Sequence, residues 1–260
     1  MNKTLPLHLL FMFLGGLLLL FVVAPLLGMV LSTSAEGLLE TAKNETVTNS
    51  ITLTILTSFG GTLFFSLLAI PLAYLMARKQ FVGKKIVQGI IDLPIVIPHS
   101  AAGIAILGFI SRDSIVGKAA ESVGLNLVGH PIGIALAMAF VSIPFLFNAA
   151  RDGFEAVPER LEKAALNLKA TPFKVFYTIS LPLASRSILS GFIMMFARGM
   201  SEFGAVVIVA YHPMTTPILV YEWFTSFGLS YARPAAVLFI AISLIFFIGL
   251  RLLINGRVKK

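Results

Sequence analysis

Six apolar runs govern what this chain can fold into. They lie at about Leu9–Leu31, Ile51–Ala77, Ile86–Ile110, Pro131–Ala149, Ser187–Tyr211 and Pro234–Ile254. Each offers about the 20 mostly apolar residues that a helix needs to cross hydrocarbon. None alternates with period two, which excludes lipid-facing strands. Backbone amides in lipid must pair within their own segment, and that leaves the α-helix. Only 12% of the 260 residues are charged, against about 25% in a soluble domain, so the solvent is lipid. The expected fold is an all-α polytopic membrane protein with six transmembrane helices. Residues 1–47 would form a first helix and its external loop, and 48–260 a five-helix domain carrying a cytoplasmic loop at 150–186.

The basic residues orient the spans. With the N-terminus inside, fifteen Lys and Arg fall in the cytoplasm, among them Lys3, Arg78, Arg251, Arg257, Lys259 and Lys260. Four fall outside: Lys43, Arg112, Lys118 and Arg233. The bias predicts a multi-pass protein of the cell membrane with both termini cytoplasmic. It also accounts for the net charge of +8 without a nucleic-acid partner. The first run is too long for a signal peptide, and no small-residue cleavage site follows closely. Cysteine is absent, and His8, His99, His130 and His212 lack zinc-ligand spacing, so neither disulfide nor metal is expected.

Between the fourth and fifth runs lies a long polar loop. Pro158 suits the first position of a helix. Leu161, Ala164, Ala165 and Leu168 then form one apolar stripe, with Glu159, Arg160, Lys163 and Asn167 on the other face. Thr171-Pro172 is a second cap-and-start pair. Phe173, Phe176 and Tyr177 give that helix an apolar face, and Leu181-Pro182 is expected to end it. Such a hairpin either packs on its own membrane domain or docks another protein.

The stretch resembles the EAA loop of ABC-transporter permeases, whose pattern is E-A-A, three residues, G, nine residues, I-x-L-P. Here Lys163-Ala164-Ala165 is followed at that spacing by Lys169 and by Ile179-Ser180-Leu181-Pro182. Glu162 stands one place before the usual glutamate. Lysine at the glycine position is a departure, since a left-handed turn there costs a side chain about 1 kcal/mol. The resemblance implies a type I ABC importer permease whose loop fits a groove on a cytosolic ATPase. Leu161, Leu168 and Phe173 would supply apolar contact, and Ala164 and Ala165 close approach. Glu162 and Lys163 would set polar register at the rim, and Thr171-Pro172 would start the second helix. The chain lacks G-x-x-x-x-G-K-[ST], so ATP and magnesium belong to the partner and no cofactor is expected here.

Charges and prolines interrupt the spans. A charge at the bilayer centre costs at least about 2.5–3.5 kcal/mol, so Asp92, Arg198 and Glu202 need partners or water. Arg198 and Glu202, four apart, would share a face of the fifth helix, as a structural bridge or as the lining of a polar pathway. Asp92, near the Lys84-Lys85 end, suggests a structural partner. Pro94 and Pro98 should interrupt the third helix, and a kink near His99-Ser100 would serve packing, a cavity or a gate. Ser58, Ser66, Ser100, Ser142 and Ser201 could line an anion path.

Two stretches are similar to molybdate and tungstate permeases: Asp92-Leu-Pro-Ile-Val-Ile-Pro-His-Ser100 and Ala197-Arg-Gly-Met-Ser-Glu-Phe-Gly-Ala205. Sulfate permeases share much of the second, and Tyr211–Trp223 follows the oxyanion group. The resemblance implies a homodimer, two ATPases and an extracellular or periplasmic oxyanion-binding protein. Pro94, Pro98, His99, Ser100, Arg198, Ser201 and Glu202 become pathway or gate candidates. No cytosolic domain is expected after Lys260, so inhibition by excess anion would act elsewhere. The alternatives are a sulfate or thiosulfate permease, and an ion-coupled carrier using Asp92 and Glu202. An intramembrane enzyme would need a Ser–His or Asp–Asp constellation that the spacing does not supply.

Overall fold

The computed structural model describes residues 5–256, and every regular element among them is helical. Lys3, Arg257, Lys259 and Lys260, used above for orientation, lie outside the described residues. Helix α1, Leu5–Leu31, stands at the margin with its apolar side chains exposed and α13 (Leu229–Gly256) as its neighbour. That exposure is natural for a helix solvated by lipid. Ser34 caps α2, Ala35–Lys43, by accepting the Gly37 N–H at 3.1 Å. Asn44 then caps α3, Glu45–Arg78, accepting from Thr46 and Val47. The expected boundary at residue 47 therefore falls inside the first turn of α3.

Helix α7, Pro131–Glu155, is the axis of the bundle, and it packs chiefly on α3 and on α10, Leu181–Met200. At the end of the bundle that carries the long loop, Ala73 and Met76 of α3 meet Phe147, Ala150 and Phe154 of α7 and Ala184 of α10. At the opposite end, Ile134 and Met138 of α7 pack with α5 (His99–Ile110) and α11 (Val206–Val209). Short α6, Ile115–Glu121, precedes α7. A third cluster joins α3 to α13 and to α12, Thr216–Phe227. Residues 212–233 are expected outside the spans. The structure makes α12 of them, and the buried Thr54 hydroxyl of α3 accepts its first N–H, that of Thr216, at 2.9 Å.

Two expected spans differ. The third is a broken pair, α4 (Lys84–Val96) and α5, bent by 113°. Pro94 sits inside α4 without ending it, and Pro98 makes the break. A residue before proline is pushed out of the helical region, and Ile97 is extended at φ −74°, ψ 147°. Among the described residues five helices are long and apolar enough to span alone, and the bent pair makes a sixth crossing if counted as one.

The fifth span was expected to begin at Ser187, after a helix stopped by Leu181-Pro182. Instead α9, Pro172–Val175, runs through a widened π turn at Phe176–Ser180 into α10. The Leu181 N–H reaches back five residues to the Phe176 carbonyl. The wider turn takes up the proline, whose missing N–H and bulky ring would break an ordinary helix. The result is one apolar rod, Pro172–Met200, that ends before Glu202 rather than at Tyr211.

Candidate functional site

The loop is a hairpin of α8, Glu159–Asn167, and α9. Pro158 stands one residue outside α8, and Thr171 caps α9 by accepting the Lys174 N–H. The turn between them is a left-handed helix stop. The Lys169 N–H donates to the Leu166 carbonyl at 2.9 Å and the Ala170 N–H to the Ala165 carbonyl at 3.1 Å. That pair of bonds requires positive φ at the residue after the cap, and Lys169 has φ 61°. The lysine thus keeps the glycine-type turn despite its side chain.

The orientation of α8 is the main departure from expectation. Glu162 is buried and turns inward, so it is not a rim residue. Its Oε1 accepts from Arg78 Nη2 at 2.8 Å and Nε at 2.9 Å, and from Ser180 Oγ at 2.7 Å. Tyr74 Oη donates to Oε2 at 3.3 Å, and Arg78 Nη2 also donates to the Val157 carbonyl at 2.9 Å. The carboxylate thereby ties α3, α8 and the π turn into one joint. Phe176, expected on the apolar face of the second helix, also turns inward, its ring 4.9 Å from that of Tyr74.

The apolar stripe faces away from the body. Leu168 is 84% exposed, Phe173 72%, and Leu161 and Tyr177 are exposed as well. Ala164 is exposed and Ala165 half-buried, so the backbone of α8 is approachable from outside. Lys163 reaches Glu159 at 2.8 Å, and that hydrogen bond holds the Glu159 carboxyl below its usual range. Four exposed apolar side chains around a tethered helix make a patch of the kind that marks interaction surfaces.

A second cluster forms where the α4–α5 elbow meets the end of α10. Glu202, its side chain 1% exposed, has Oε2 2.9 Å from Arg198 Nη2 and 3.1 Å from His99 Nδ1. Both contacts are close but poorly aligned as hydrogen bonds, and the one to Arg198 is an ion pair. Its Oε1 accepts the Ala205 N–H at 2.9 Å, which fixes the turn after α10. Arg198 Nη2 also lies 3.0 Å from both His99 ring nitrogens. A Cβ on Gly204 would lie 2.8 Å from His99 Cβ, and one on Gly103 2.8 Å from the Ala205 carbonyl oxygen. Glycine at both positions is what lets the elbow touch the turn.

The structure therefore brings His99, Arg198, Ser201 and Glu202 together. Ser201 and Ser100 are exposed beside them, Pro98 is at the elbow, and Pro94 is buried in α4. Glu202 lies past the helix that was to carry it. Ser58, Ser66 and Ser142 are not pathway hydroxyls: they are buried, with Oγ spent on the carbonyls of Phe196, Leu63 and Met138. Asp92 has its structural partners, but they are Gln88 at 2.6 Å and Asn148 at 2.7 Å rather than a lysine. Gln88 in turn accepts from Arg151 at 2.5 Å, so the network stitches α4 to α7. Sequence reasoning missed Arg78 and Asn148, which meet their partners from distant helices, and Gln88, whose place four residues before Asp92 on one helix was the signal that could have found it.

The chain matches the family described as binding-protein-dependent transport system inner membrane component over residues 69–260. It is 42% identical, over 96% of both chains, to the molybdate/tungstate transport system permease protein WtpB of Pyrococcus abyssi (strain GE5 / Orsay). It is 29% identical, over 91% of this chain and 85% of the other, to the sulfate transport system permease protein CysT of Synechocystis sp. (strain ATCC 27184 / PCC 6803 / Kazusa). Among solved structures, a bacterial ABC transporter involved in the import of the acidic polysaccharide alginate aligns with TM-score 0.75 at 17% identity, covering 99% of this chain and 97% of that one. A bacterial alginate ABC transporter in complex with alginate pentasaccharide-bound periplasmic protein aligns with TM-score 0.75 at 16% identity, covering 95% and 93%. At those identities the structures share the fold.

Proposed function

The chain belongs to the binding-protein-dependent transport system inner membrane component family, and on that premise we propose that it is the permease subunit of an ATP-driven importer for molybdate and tungstate. The observation that carries the cargo is the 42% identity, along almost the whole of both chains, to a molybdate/tungstate permease. Sulfate is the second reading, supported by the more distant likeness to a sulfate permease.

ATP is bound and hydrolysed on a separate chain, which docks on the outward face of α8 and α9 through Leu161, Leu168, Phe173 and the approachable backbone at Ala164 and Ala165. Two copies of the permease enclose the path, two ATPases grip the two hairpins, and an extracellular or periplasmic oxyanion-binding protein delivers the anion. Both termini lie on the ATPase side. Closure of the ATPases displaces the hairpins, the Arg78–Glu162 joint hands that displacement to α3, and the rod beginning at Pro172 hands it to α10. The elbow at Pro98 and the turn at Glu202, held together by His99 and Arg198, then change which side of the path is open. Arg198, its charge shared with Glu202, offers an anion a donor without a full unpaired charge.

The ion-coupled carrier fares worse. Asp92 is committed to Gln88 and Asn148, and Glu202 to Arg198, His99 and Ala205, so neither carboxylate is free to take a coupling ion.

The test is uptake by liposomes holding the permease, its neighbouring ATPase and the binding protein. ATP-dependent accumulation of molybdate or tungstate, outcompeting sulfate, is the expected result. Preferred uptake of sulfate would transfer the assignment to the second reading. Uptake by the permease alone on an ion gradient would defeat both.

A further inference from the structure

At the loop end of the bundle the ends of α3, α4 and α7 leave a cavity of about 620 Å³. Its floor is apolar, with Met76 buried there, and Lys84, Lys85 and Arg151 stand on its walls. One carboxylate, Glu155, shares the lining and lies 3.8 Å from Arg151. Asp152 accepts from Nε and Nη2 of the same guanidinium at 3.2 and 2.8 Å. Among the described residues neither lysine has an ion-pair partner, so the uncompensated positive charge is theirs.

Arg151 is not a loose surface cation. Its Nη1 donates to Gln88 Oε1, and Gln88 Nε2 is held by Asp92 at 2.6 Å and Asn148 at 2.8 Å. The guanidinium is set in position before any ligand arrives, which lowers the ordering cost of binding. Apolar side chains flank the mouth: Phe81 and Ile86 of the lining are exposed, and Val82, next to Phe81, is fully exposed. Leu72 and Leu75, in the last two turns of α3 below it, are exposed as well. Cations above a band of lipid-facing apolar residues lie at headgroup depth, where basic pockets between helices take phosphate-bearing heads.

We infer that this cavity binds a tetrahedral oxyanion group through Lys84, Lys85 and Arg151. The same chemistry is carried by the phosphate of an anionic lipid and by a free oxyanion, and the exposed Phe81-Val82 rim points to the lipid. The inference needs only the membrane setting and stands whichever anion the protein transports.

The experiment uses full-length, delipidated permease in a neutral detergent. Short-chain phosphatidylglycerol, phosphatidylcholine of the same chain length, inorganic phosphate and molybdate are titrated in turn, with affinity read by native mass spectrometry and by the shift in thermal midpoint. Saturable binding of phosphatidylglycerol is expected, at least tenfold tighter than phosphatidylcholine. It should weaken at least tenfold in Lys84→Gln/Lys85→Gln and be kept in Lys84→Arg/Lys85→Arg, and both pairs should melt like the parent without ligand. The same dependence on the lysines seen with phosphate or molybdate, and absent with phosphatidylglycerol, assigns the site to a free oxyanion. Binding of every probe that is indifferent to the glutamine pair, or equal affinity for the two lipids, overturns the inference.

Discussion

Glu162 and Arg78 come from opposite ends of the fold's construction, one from the loop helix and the other from the last residue of a membrane helix, and they meet in a two-pronged pair at 2.8–3.1 Å. Both side chains are about nine-tenths buried. Removing one partner of such a pair leaves the other charge without water or a counterion, at a cost of about 3–5 kcal/mol. Arg78→Met and Glu162→Leu should each lower stability in denaturant titrations by that order. The double variant should lose less than their sum, and strict additivity would show that the two do not act together.

The exposed face of the hairpin makes the opposite demand. Leu168 and Phe173 are too exposed to stabilise the chain, so Leu168→Glu and Phe173→Asp should leave the thermal midpoint unchanged within a degree or two. The same variants should reduce co-purification of the ATPase at least tenfold. A fall in stability with normal co-purification would mean that these side chains serve the hairpin itself.

Lys169 occupies a left-handed turn that glycine enters without strain. Lys169→Gly should stabilise the hairpin by about 1 kcal/mol, and Lys169→Val should cost at least as much. Protection of the Ala170 amide in hydrogen exchange reads the effect directly. Slower exchange in the glycine variant is expected, and no change would show that the turn carries no strain.

Gly204 is the closest point between the elbow and the turn after α10. Gly204→Ala sets a methyl 2.8 Å from His99 Cβ, a clash with overpacking costs of about 1–3 kcal/mol. The elbow must then shift away from Glu202. ATP hydrolysis by the assembled transporter should persist while anion uptake falls several-fold. Unimpaired uptake in the reconstituted vesicles would remove the elbow from the path.

The spans were legible because apolar length is a one-dimensional property. The Pro98 break and the Thr171 cap were legible for a similar reason, since each acts on its immediate neighbours. Facing was harder to read. The stripe Leu161–Leu168 and the face holding Glu162 are both regular, and nothing in the hairpin says which one turns inward. The deciding group is Arg78, 84 positions away, and from sequence it counts only as one more cytoplasmic cation. The structural role of Asp92 was legible but its partners were not: nearby lysines drew the reading, while Asn148 stood on another helix. Ser66 and Ser142 misled because a hydroxyl in a helix can spend itself on a carbonyl one turn back, and Ser58 because its partner carbonyl, that of Phe196, lies on another helix. Pro182 misled because a rule for ordinary helices does not hold where the turn is widened.

That widened turn has a mechanical consequence. Because it carries the backbone past Pro182 unbroken, the exposed tip at Phe173 and the guanidinium of Arg198 ride on a single strut about 40 Å long. A push received at one end arrives at the other by translation of a stiff body, without any relay of side chains between. The gate and the engine would then be two ends of one crank, and softening its middle should leave both ends intact and silent toward each other.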